Sequence, residues 1–254
     1  MVKGFKAFNV GTLLLKSMKK IYDLINENGY YNDFKIEIKD IILIKQLIYK
    51  QLKENTSKIN VEINEDIFED YQNVIDDALH KKISIKSNRT LSENDSKTLL
   101  KLELFDFLKV NFGEFIITNE DKQRSKEIYW RIVRPNQMSD IGPLHADKWF
   151  WDQNYYNDKN YNLERLKIWI PIQNDTINHG FKFIPKSHKT INNFSVHNDG
   201  LKTRCKYIGS VSELVYHKGK PGNAIIFHDN LIHGGEFGIN KCRISIEFTI
   251  ALTK

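Results

Sequence analysis

The segment RLKIWIPIQ, residues 165–173, alternates aliphatic residues with other types along most of its length. Successive residues of a β-strand point to opposite sides, so this pattern predicts a strand with two different faces. Lys167 and Trp169 would share one face. The other face would carry only aliphatic side chains, those of Leu166, Ile168, Ile170 and Ile172.

Two further segments, CRISIEFTI (residues 242–250) and EIYWRIV (residues 127–133), show the same alternation. The polar face of the first carries Arg243, Ser245 and Glu247, and that of the second carries Tyr129 and Arg131. Isolated charges on one face are expected when that face lines a ligand cavity and the other packs on helices. An antiparallel sheet with one face in water gives the same pattern, so the alternation leaves both interpretations open.

The spacing of apolar residues differs between the two parts of the chain, which predicts an α+β protein. Apolar residues recur with helical spacing in residues 1–112, for example in IILIKQLIYKQL (residues 41–52), and polar turns are predicted at residues 26–33 and 87–96. Short strand-like runs bounded by Gly, Pro, Asn and Asp fill residues 113–254. We therefore expect a single domain over residues 1–254, with a mainly helical first part and a β-rich core.

Composition and charge narrow the possible functions. The net charge of +6 comes mainly from lysines interleaved with acidic residues, so no nucleic-acid partner is predicted, whereas an anionic small molecule is compatible with it. The longest early apolar run, GTLLL (residues 11–15), is too short for a signal peptide or a membrane span, which favours a cytoplasmic protein without a membrane partner. Two cysteines are too few for a thiolate metal site. The sequence leaves the oligomeric state open.

A candidate metal site is formed by GPLHADKWFWD (residues 142–152) together with a distant histidine. On an extended segment His145 and Asp147, two residues apart, would point the same way and reach one ion. His233 follows a strand-like run and precedes two glycines. Two imidazoles and one carboxylate on one side of a metal leave other positions open, as in non-haem Fe(II) oxygenases. These three residues are predicted to be the metal ligands and the catalytic centre.

Further candidates surround this ligand set. Arg243 and Ser245 offer a guanidinium and a hydroxyl for a carboxylate of a co-substrate. Lys167 and Trp169 are candidates for the same co-substrate pocket, and the substrate contacts are predicted to come from Arg131, Trp149 and Trp151. Core packing of the tryptophans and a solvated face for Lys167 and Arg131 are the structural alternatives.

The ordered set H-x-D, distant His and R-x-S resembles the phytanoyl-CoA dioxygenase family of Fe(II)/2-oxoglutarate-dependent oxygenases. Residues 165–189 are similar to the family's central stretch, which ends in an IPGSH-like turn, and residues 220–235 resemble the strand that delivers the distal histidine. The similarity covers about residues 127–251. Lys186 and Asn223 depart from the family's usual glycine and aspartate, which puts the conformation of those loops in doubt.

The resemblance implies a double-stranded β-helix core, jelly-roll and cupin-like, with the N-terminal helical region packed on its outer sheet. It implies Fe(II) held by His145, Asp147 and His233, with 2-oxoglutarate anchored by Arg243 and Ser245. With O2, such an enzyme hydroxylates an aliphatic C–H of a small polar metabolite and releases succinate and CO2. Asp147 disfavours halogenation, since halide-binding members lack that carboxylate. The alternatives are a metal-dependent binding protein without turnover and an oxygenase for a protein or nucleic-acid target.

Overall fold

A computed structural model describes residues 21–118, 126–154, 162–174, 180–198, 203–211, 213–217 and 219–253. Its first part is mainly helical: residues 21–28 are followed by α1 (Ile38–Ser57), α2 (Ile67–Val74), α3 (Asp77–Ile83), α4 (Lys86–Arg89), α5 (Glu93–Leu99) and α6 (Glu103–Phe112). Asp76 and Ser92 accept backbone N–H groups at the starts of α3 and α5, which are typical N-cap contacts. Among the described helices, none combines the length and apolarity that crossing a membrane requires.

The rest of the described chain is mostly strands. The elements are β1 (Tyr30–Lys35), β2 (Phe115–Ile117), β3 (Tyr129–Val133), α7 (Asp147–Asn154), β4 (Arg165–Gln173), β5 (Phe181–Phe183), β6 (Phe194–Asn198), β7 (Thr203–Tyr207), β8 (Val215–His217), β9 (Asn223–His228), β10 (His233–Gly235) and β11 (Arg243–Leu252). Two 3-10 turns, Met138–Asp140 and Ser187–Lys189, interrupt this order.

The strands form two main sheets and a hairpin, and the described pairs are all antiparallel. The larger sheet has the order β1-β9-β4-β11-β2, and β3 also pairs with β11. The smaller sheet has the order β10-β5-β8, while β6 pairs with β7. Trp169 and Phe227 of the larger sheet pack with Phe181 and Phe183 of the smaller one, so the two sheets face each other across an aromatic layer. This arrangement confirms the predicted α+β jelly-roll class.

The main hydrophobic core lies between the helices and the outer face of the larger sheet. Aliphatic residues of α1 and α6 share one buried cluster with the predicted apolar faces of β3, β4 and β11. Phe105 of α6 stacks on Phe248 of β11 with ring centroids 5.3 Å apart. The alternation therefore identified the outer face correctly, and the helical part covers it as predicted.

Both turns predicted in the helical part are wrong in detail. Residues 26–33 contain the start of β1, which joins the edge of the larger sheet with Tyr30 opposite Phe227. Gly29, with φ at +91°, connects the preceding helix to this strand, and a Cβ there would lie 2.6 Å from Leu231. Residues 87–96 contain most of α4 and the start of α5. Pairing with a distant strand edge depends on tertiary contacts, which local polarity does not report.

Candidate metal centre and its cavity

His145 and His233 meet across a short antiparallel bridge. The backbone N–H of His145 donates to the carbonyl of His233 at 2.9 Å, and the reverse bond is 2.8 Å long. The two rings lie with centroids 4.5 Å apart. Asp147 is the first residue of α7, so the expected extended H-x-D segment ends before the aspartate. The start of the helix nevertheless directs this carboxylate toward the two imidazoles.

The three side chains have the geometry and protonation of a ligand set. One ligand atom from each lies within 4.8 Å of the others, so the group could hold a metal ion. The Nε2 atoms of His145 and His233 are each 3.8 Å from an Asp147 oxygen. Their Nδ1 atoms lie 2.8 Å from the carbonyl of Pro143 and 2.9 Å from that of Leu231. A carbonyl only accepts, so each Nδ1 carries the proton and each Nε2 keeps a lone pair for a metal.

The electrostatics of this group favour the metal-binding protonation states. Burial by itself would raise the pKa of the Asp147 carboxyl, but the charges of Lys167, His233 and His145 lower it to about 2. Burial lowers the pKa of His233 to about 4. The Oδ2 atom of Asp147 is buried and has no hydrogen-bond partner among the described residues, although the ammonium of Lys167 lies 3.8 Å away. An orphaned carboxylate oxygen beside two imidazole lone pairs fits a divalent cation.

Arg243 and Ser245 are buried on the inner face of β11, opposite its apolar face. The Arg243 side chain is among the largest fully buried ones, yet its Nε atom and the Ser245 hydroxyl have no hydrogen-bond partner among the described residues. Burial, and then the charge of Arg131, lower the pKa of the Arg243 guanidinium to about 9. Gly235, two residues after His233, lies against this guanidinium, since a Cβ there would be 3.2 Å from Nη2.

The other candidates on the sheet also have partners; Lys167 and Trp169 are buried, and Arg131 is partly exposed. Lys167 donates to the hydroxyl of Tyr129 at 2.7 Å, so it bridges that phenol and the carboxylate of Asp147. The Arg131 guanidinium lies 3.3 Å from Glu247. The guanidinium of Arg243 lies over the ring of Trp169, 5.6 Å from its centroid. These contacts connect Lys167 to the candidate metal ligands, Arg131 to Glu247 and Arg243 to the aromatic layer.

A cavity of about 260 Å³ opens beside His145 and Asp147. Arg131 and Trp151 are part of its lining, and their contact with a substrate stays a prediction. Trp149 does not: it stacks on Phe194 with centroids 4.5 Å apart, in a separate buried cluster. For Trp149 the structure favours the alternative of core packing, because residues two apart on a helix lie on nearly opposite faces, and Trp151 occupies the face toward the cavity.

Several lining residues had no signal in the sequence. Lys86 and Arg89 come from α4 in the helical part, and Arg204 comes from β7. The complete lining comprises Lys86, Arg89, Tyr129, Arg131, Gly142, Pro143, His145, Asp147, Phe150, Trp151, Arg204 and Cys205. The spacing of Lys86 and Arg89 predicts that they share a helix face, but it does not reveal what that face contacts.

Two facing antiparallel sheets that bring two histidines and one aspartate together define a jelly-roll protein with a group of residues that could form a 2-His-1-carboxylate metal site. The sequence profile of the phytanoyl-CoA dioxygenase (PhyH) family matches residues 28–238. The chain belongs to this family, whose members are Fe(II)/2-oxoglutarate-type oxygenases. No curated protein sequence matches it.

Solved structures with the same fold are distant in sequence. EctD from S. alaskensis, crystallised with 2-oxoglutarate and 5-hydroxyectoine, is 15% identical with a TM-score of 0.55, over 90% of this chain and 74% of that one. SnoN, a non-haem alpha-ketoglutarate-dependent epimerase from nogalamycin biosynthesis, is 11% identical with a TM-score of 0.53, over 93% and 84%. EvdMO1 is 13% identical with a TM-score of 0.54; the match covers 92% of this chain but half of EvdMO1. These similarities show the shared fold alone.

Proposed function

We propose that the protein is an Fe(II)- and 2-oxoglutarate-dependent dioxygenase that hydroxylates an aliphatic C–H bond of a small polar metabolite and releases succinate and CO2. One observation carries the proposal. A carboxylate and two imidazole lone pairs converge on one point, and a buried arginine with an unused donor lies against the strand that delivers His233. A ligand set for a cation and an anchor for an anion therefore occur side by side.

His145, Asp147 and His233 would hold the iron, which supplies the redox chemistry that activates O2 when it is bound together with 2-oxoglutarate. Contacts within the chain orient and ionise these side chains for metal binding. Both Nδ1 atoms donate to backbone carbonyls, which fixes the orientation of the rings. The low pKa of Asp147 keeps its carboxylate ionised, so metal binding displaces no proton from it near neutral pH.

Arg243 and Ser245 would bind the distal carboxylate of 2-oxoglutarate. A guanidinium pairs with a carboxylate through parallel N–H···O bonds, and such a pair satisfies donors that are otherwise buried without partners. Gly235 keeps the backbone of β10 close to the guanidinium. About 6–7 Å of strand separates residues 233 and 235, a span that suits a five-carbon diacid reaching from the metal to the anchor.

Aromatic residues exclude water from one side of this site. The ring of His233 is stacked against Phe181 with centroids 5.2 Å apart, and Phe227 lies 4.7 Å away. The opposite side, where His145 and Asp147 border the cavity, remains accessible to a substrate. The residues therefore direct oxidation toward the cavity and shield the co-substrate.

The proposal is tested by anaerobic calorimetric titration with Fe(II) and then 2-oxoglutarate, followed by measurement of succinate after O2 is admitted. We expect one Fe(II) per chain and succinate release that increases with substrate. His145→Ala or His233→Ala should lower Fe(II) affinity by about 100-fold or more, because one of three ligands is lost. Asp147→Gly should abolish hydroxylation.

The matched control is His197→Ala, which removes an exposed histidine of β6 and should leave Fe(II) affinity unchanged. If a variant with both His145 and His233 replaced by alanine still bound one Fe(II) per chain tightly, the ligand assignment would be refuted. If the protein binds both Fe(II) and 2-oxoglutarate but releases no succinate with any mixture of metabolites, the result would instead support a binding protein without turnover.

A further inference from the structure

We propose that Lys86, Arg89 and Arg204 form a subsite that binds an oxyanion group of the substrate, a carboxylate, sulfate or phosphate, and so presents the rest of the substrate to the metal centre. These three residues are called the oxyanion subsite below. The proposal rests on the proposed function, since it assigns the substrate class of the same site. It also gives the helical part of the chain a direct role in specificity.

The first observation is the placement of α4. Lys86 and Arg89 are three residues apart on one helical turn, so their side chains share a face. Both lie over the ring of Tyr129, with the Lys86 ammonium 5.1 Å and the Arg89 guanidinium carbon 5.0 Å from its centroid. Tyr129 belongs to β3 and lines the same cavity as the metal ligands. A single turn of helix therefore brings two positive charges to the cavity wall.

The second observation is that Arg89 is held in place. Its Nε donates to the carbonyl of Ser84 at 3.0 Å, and its Nη1 donates to the carbonyl of Trp130 at 3.1 Å. Carbonyl acceptors orient a guanidinium without cancelling its formal charge. Lys86 lies 2.9 Å from the carboxylate of Glu127, which holds the ammonium in place and offsets part of its charge. A positioned cation loses less conformational entropy on binding an anion than a freely rotating one.

The third observation is the balance of charge around the cavity. Of the twelve lining residues, Lys86, Arg89, Arg131 and Arg204 are cationic, and Asp147 is the single carboxylate in this described lining. Outside the lining, Glu127 lies 2.9 Å from Lys86 and Glu247 lies 3.3 Å from Arg131, and these two carboxylates offset part of the positive charge. Asp147 belongs to the metal ligand set, so a bound divalent ion would offset its charge. A partly enclosed cavity lined mainly by one sign of charge concentrates ligands of the opposite sign.

The cavity is also distinct from the anchor proposed for 2-oxoglutarate. Arg243, Ser245 and Trp169 do not belong to its lining, whereas His145 and Asp147 do. The cations of the oxyanion subsite therefore border the side of the metal centre that the co-substrate leaves open. Phe150 and Trp151 add an aromatic wall, which favours a substrate with an apolar body next to its anionic group.

The test uses the Mn(II)-loaded protein saturated with 2-oxoglutarate, which keeps small anions out of the co-substrate site. Methylphosphonate is titrated while its 31P relaxation is measured, and acetate is titrated in parallel by 13C relaxation. Anions bound near the paramagnetic ion relax faster than those bound elsewhere. We expect enhanced relaxation of the bound probe in the wild type. The probe that binds more tightly shows whether the oxyanion subsite prefers a phosphate-like or a carboxylate-like group.

Arg89→Gln should weaken probe binding by about tenfold or more, because it removes a positioned charge-assisted donor. Arg204→Gln changes an exposed side chain of β7, so it tests the subsite even where the α4 variants fold poorly. Lys82→Met removes an exposed lysine of the neighbouring α3 and serves as the control of equal charge change. It should bind the probes like the wild type.

Wild-type relaxation in both Arg89→Gln and Arg204→Gln would overturn the proposal, as would the absence of any enhancement in a protein that binds Mn(II). Failure to bind Mn(II) at all is a separate result that counts against the proposed oxygenase. In that case, calorimetry of methylphosphonate with the metal-free protein and the same variants still decides whether the oxyanion subsite exists.

Discussion

Arg165 and Arg243 begin neighbouring strands of the same sheet and are equally buried, with 3% and 2% of their surfaces exposed, but their surroundings differ. Arg165 donates from Nε to Asp229 at 2.8 Å, and its Nη2 lies 2.8 Å from the same oxygen. Its Nη1 donates to the carbonyl of Leu163, and its guanidinium stacks on Trp151. The Nε of Arg243 has no hydrogen-bond partner among the described residues.

The comparison separates a structural arginine from one that is suited to a ligand. A buried guanidinium whose donors are satisfied within the chain contributes to folding, and its removal leaves a carboxylate without its partner. A buried guanidinium with an unsatisfied donor costs stability in the absence of a ligand and binds an anion more strongly for the same reason. Of the four predictions below, three test the ligand-binding side of this comparison and one tests the electrostatics of the neighbouring His233; they begin with the largest effect.

Arg165→Met should destabilise the protein by about 3–5 kcal/mol, because it leaves the buried Asp229 carboxylate uncompensated. Arg243→Met should change the free energy of unfolding of the ligand-free protein by less than about 1 kcal/mol, since a buried charge is replaced by a side chain of similar volume. Urea unfolding of both variants measures the contrast. Equal destabilisation would remove the distinction between the two arginines.

The metal-free protein should lose stability on acidification through protonation of His233. Its pKa is lowered to about 4 in the folded state, against an ordinary 6.5, so the unfolded chain binds the additional proton first as the pH falls. Stability from this group is complete above about pH 6.5 and decreases toward pH 4, by roughly 3 kcal/mol in total.

Thermal unfolding between pH 7 and pH 4, compared with that of His233→Gln, isolates the contribution of this residue. The variant should show a shallower loss of stability over this range because it lacks the titrating imidazole. Parallel pH profiles for the two proteins would contradict the assignment.

Arg243→Ala should weaken 2-oxoglutarate binding by roughly 30-fold or more, which corresponds to about 2 kcal/mol or more at 1.4 kcal/mol per tenfold. Arg243→Lys should restore only part of the affinity, because an ammonium lacks the planar pair of donors. Anaerobic calorimetry with Fe(II) present measures both dissociation constants. Wild-type affinity in Arg243→Ala would end the proposed role of this residue.

Ser245→Ala should have the smallest effect on folding. The hydroxyl is fully buried without a hydrogen-bond partner, so its removal should leave the ligand-free protein unchanged or more stable by about 1 kcal/mol. The same substitution should weaken 2-oxoglutarate binding by about three- to tenfold if the hydroxyl bonds the distal carboxylate. Loss of stability without a change in affinity would make Ser245 a structural residue.

Much of the sheet could be predicted because its pattern is local. The alternation in β4 and β11 separates Ile168 and Phe248, which pack under the helices, from Lys167 and Arg243, which lie on the opposite face of the sheet. Lys186, which departs from the family's glycine, adopts the left-handed conformation with φ at +61°, at a cost of roughly 1–2 kcal/mol. No pattern in the sequence assigns different roles to Trp149 and Trp151, because both are tryptophans that closely follow His145 and Asp147.

The sequence by itself determined the alternation of the strands, the ligand motif with its distant histidine and the membership of the family, because these depend on residue type and order along the chain. The tertiary structure decided which remote segments meet. It placed β1 on the edge of the larger sheet and Asp147 at the start of a helix. It also brought Lys86 and Arg89 to the cavity beside His145 and Asp147. Such contacts join residues far apart in the chain, and they arise from the packing of whole elements, which no local pattern encodes.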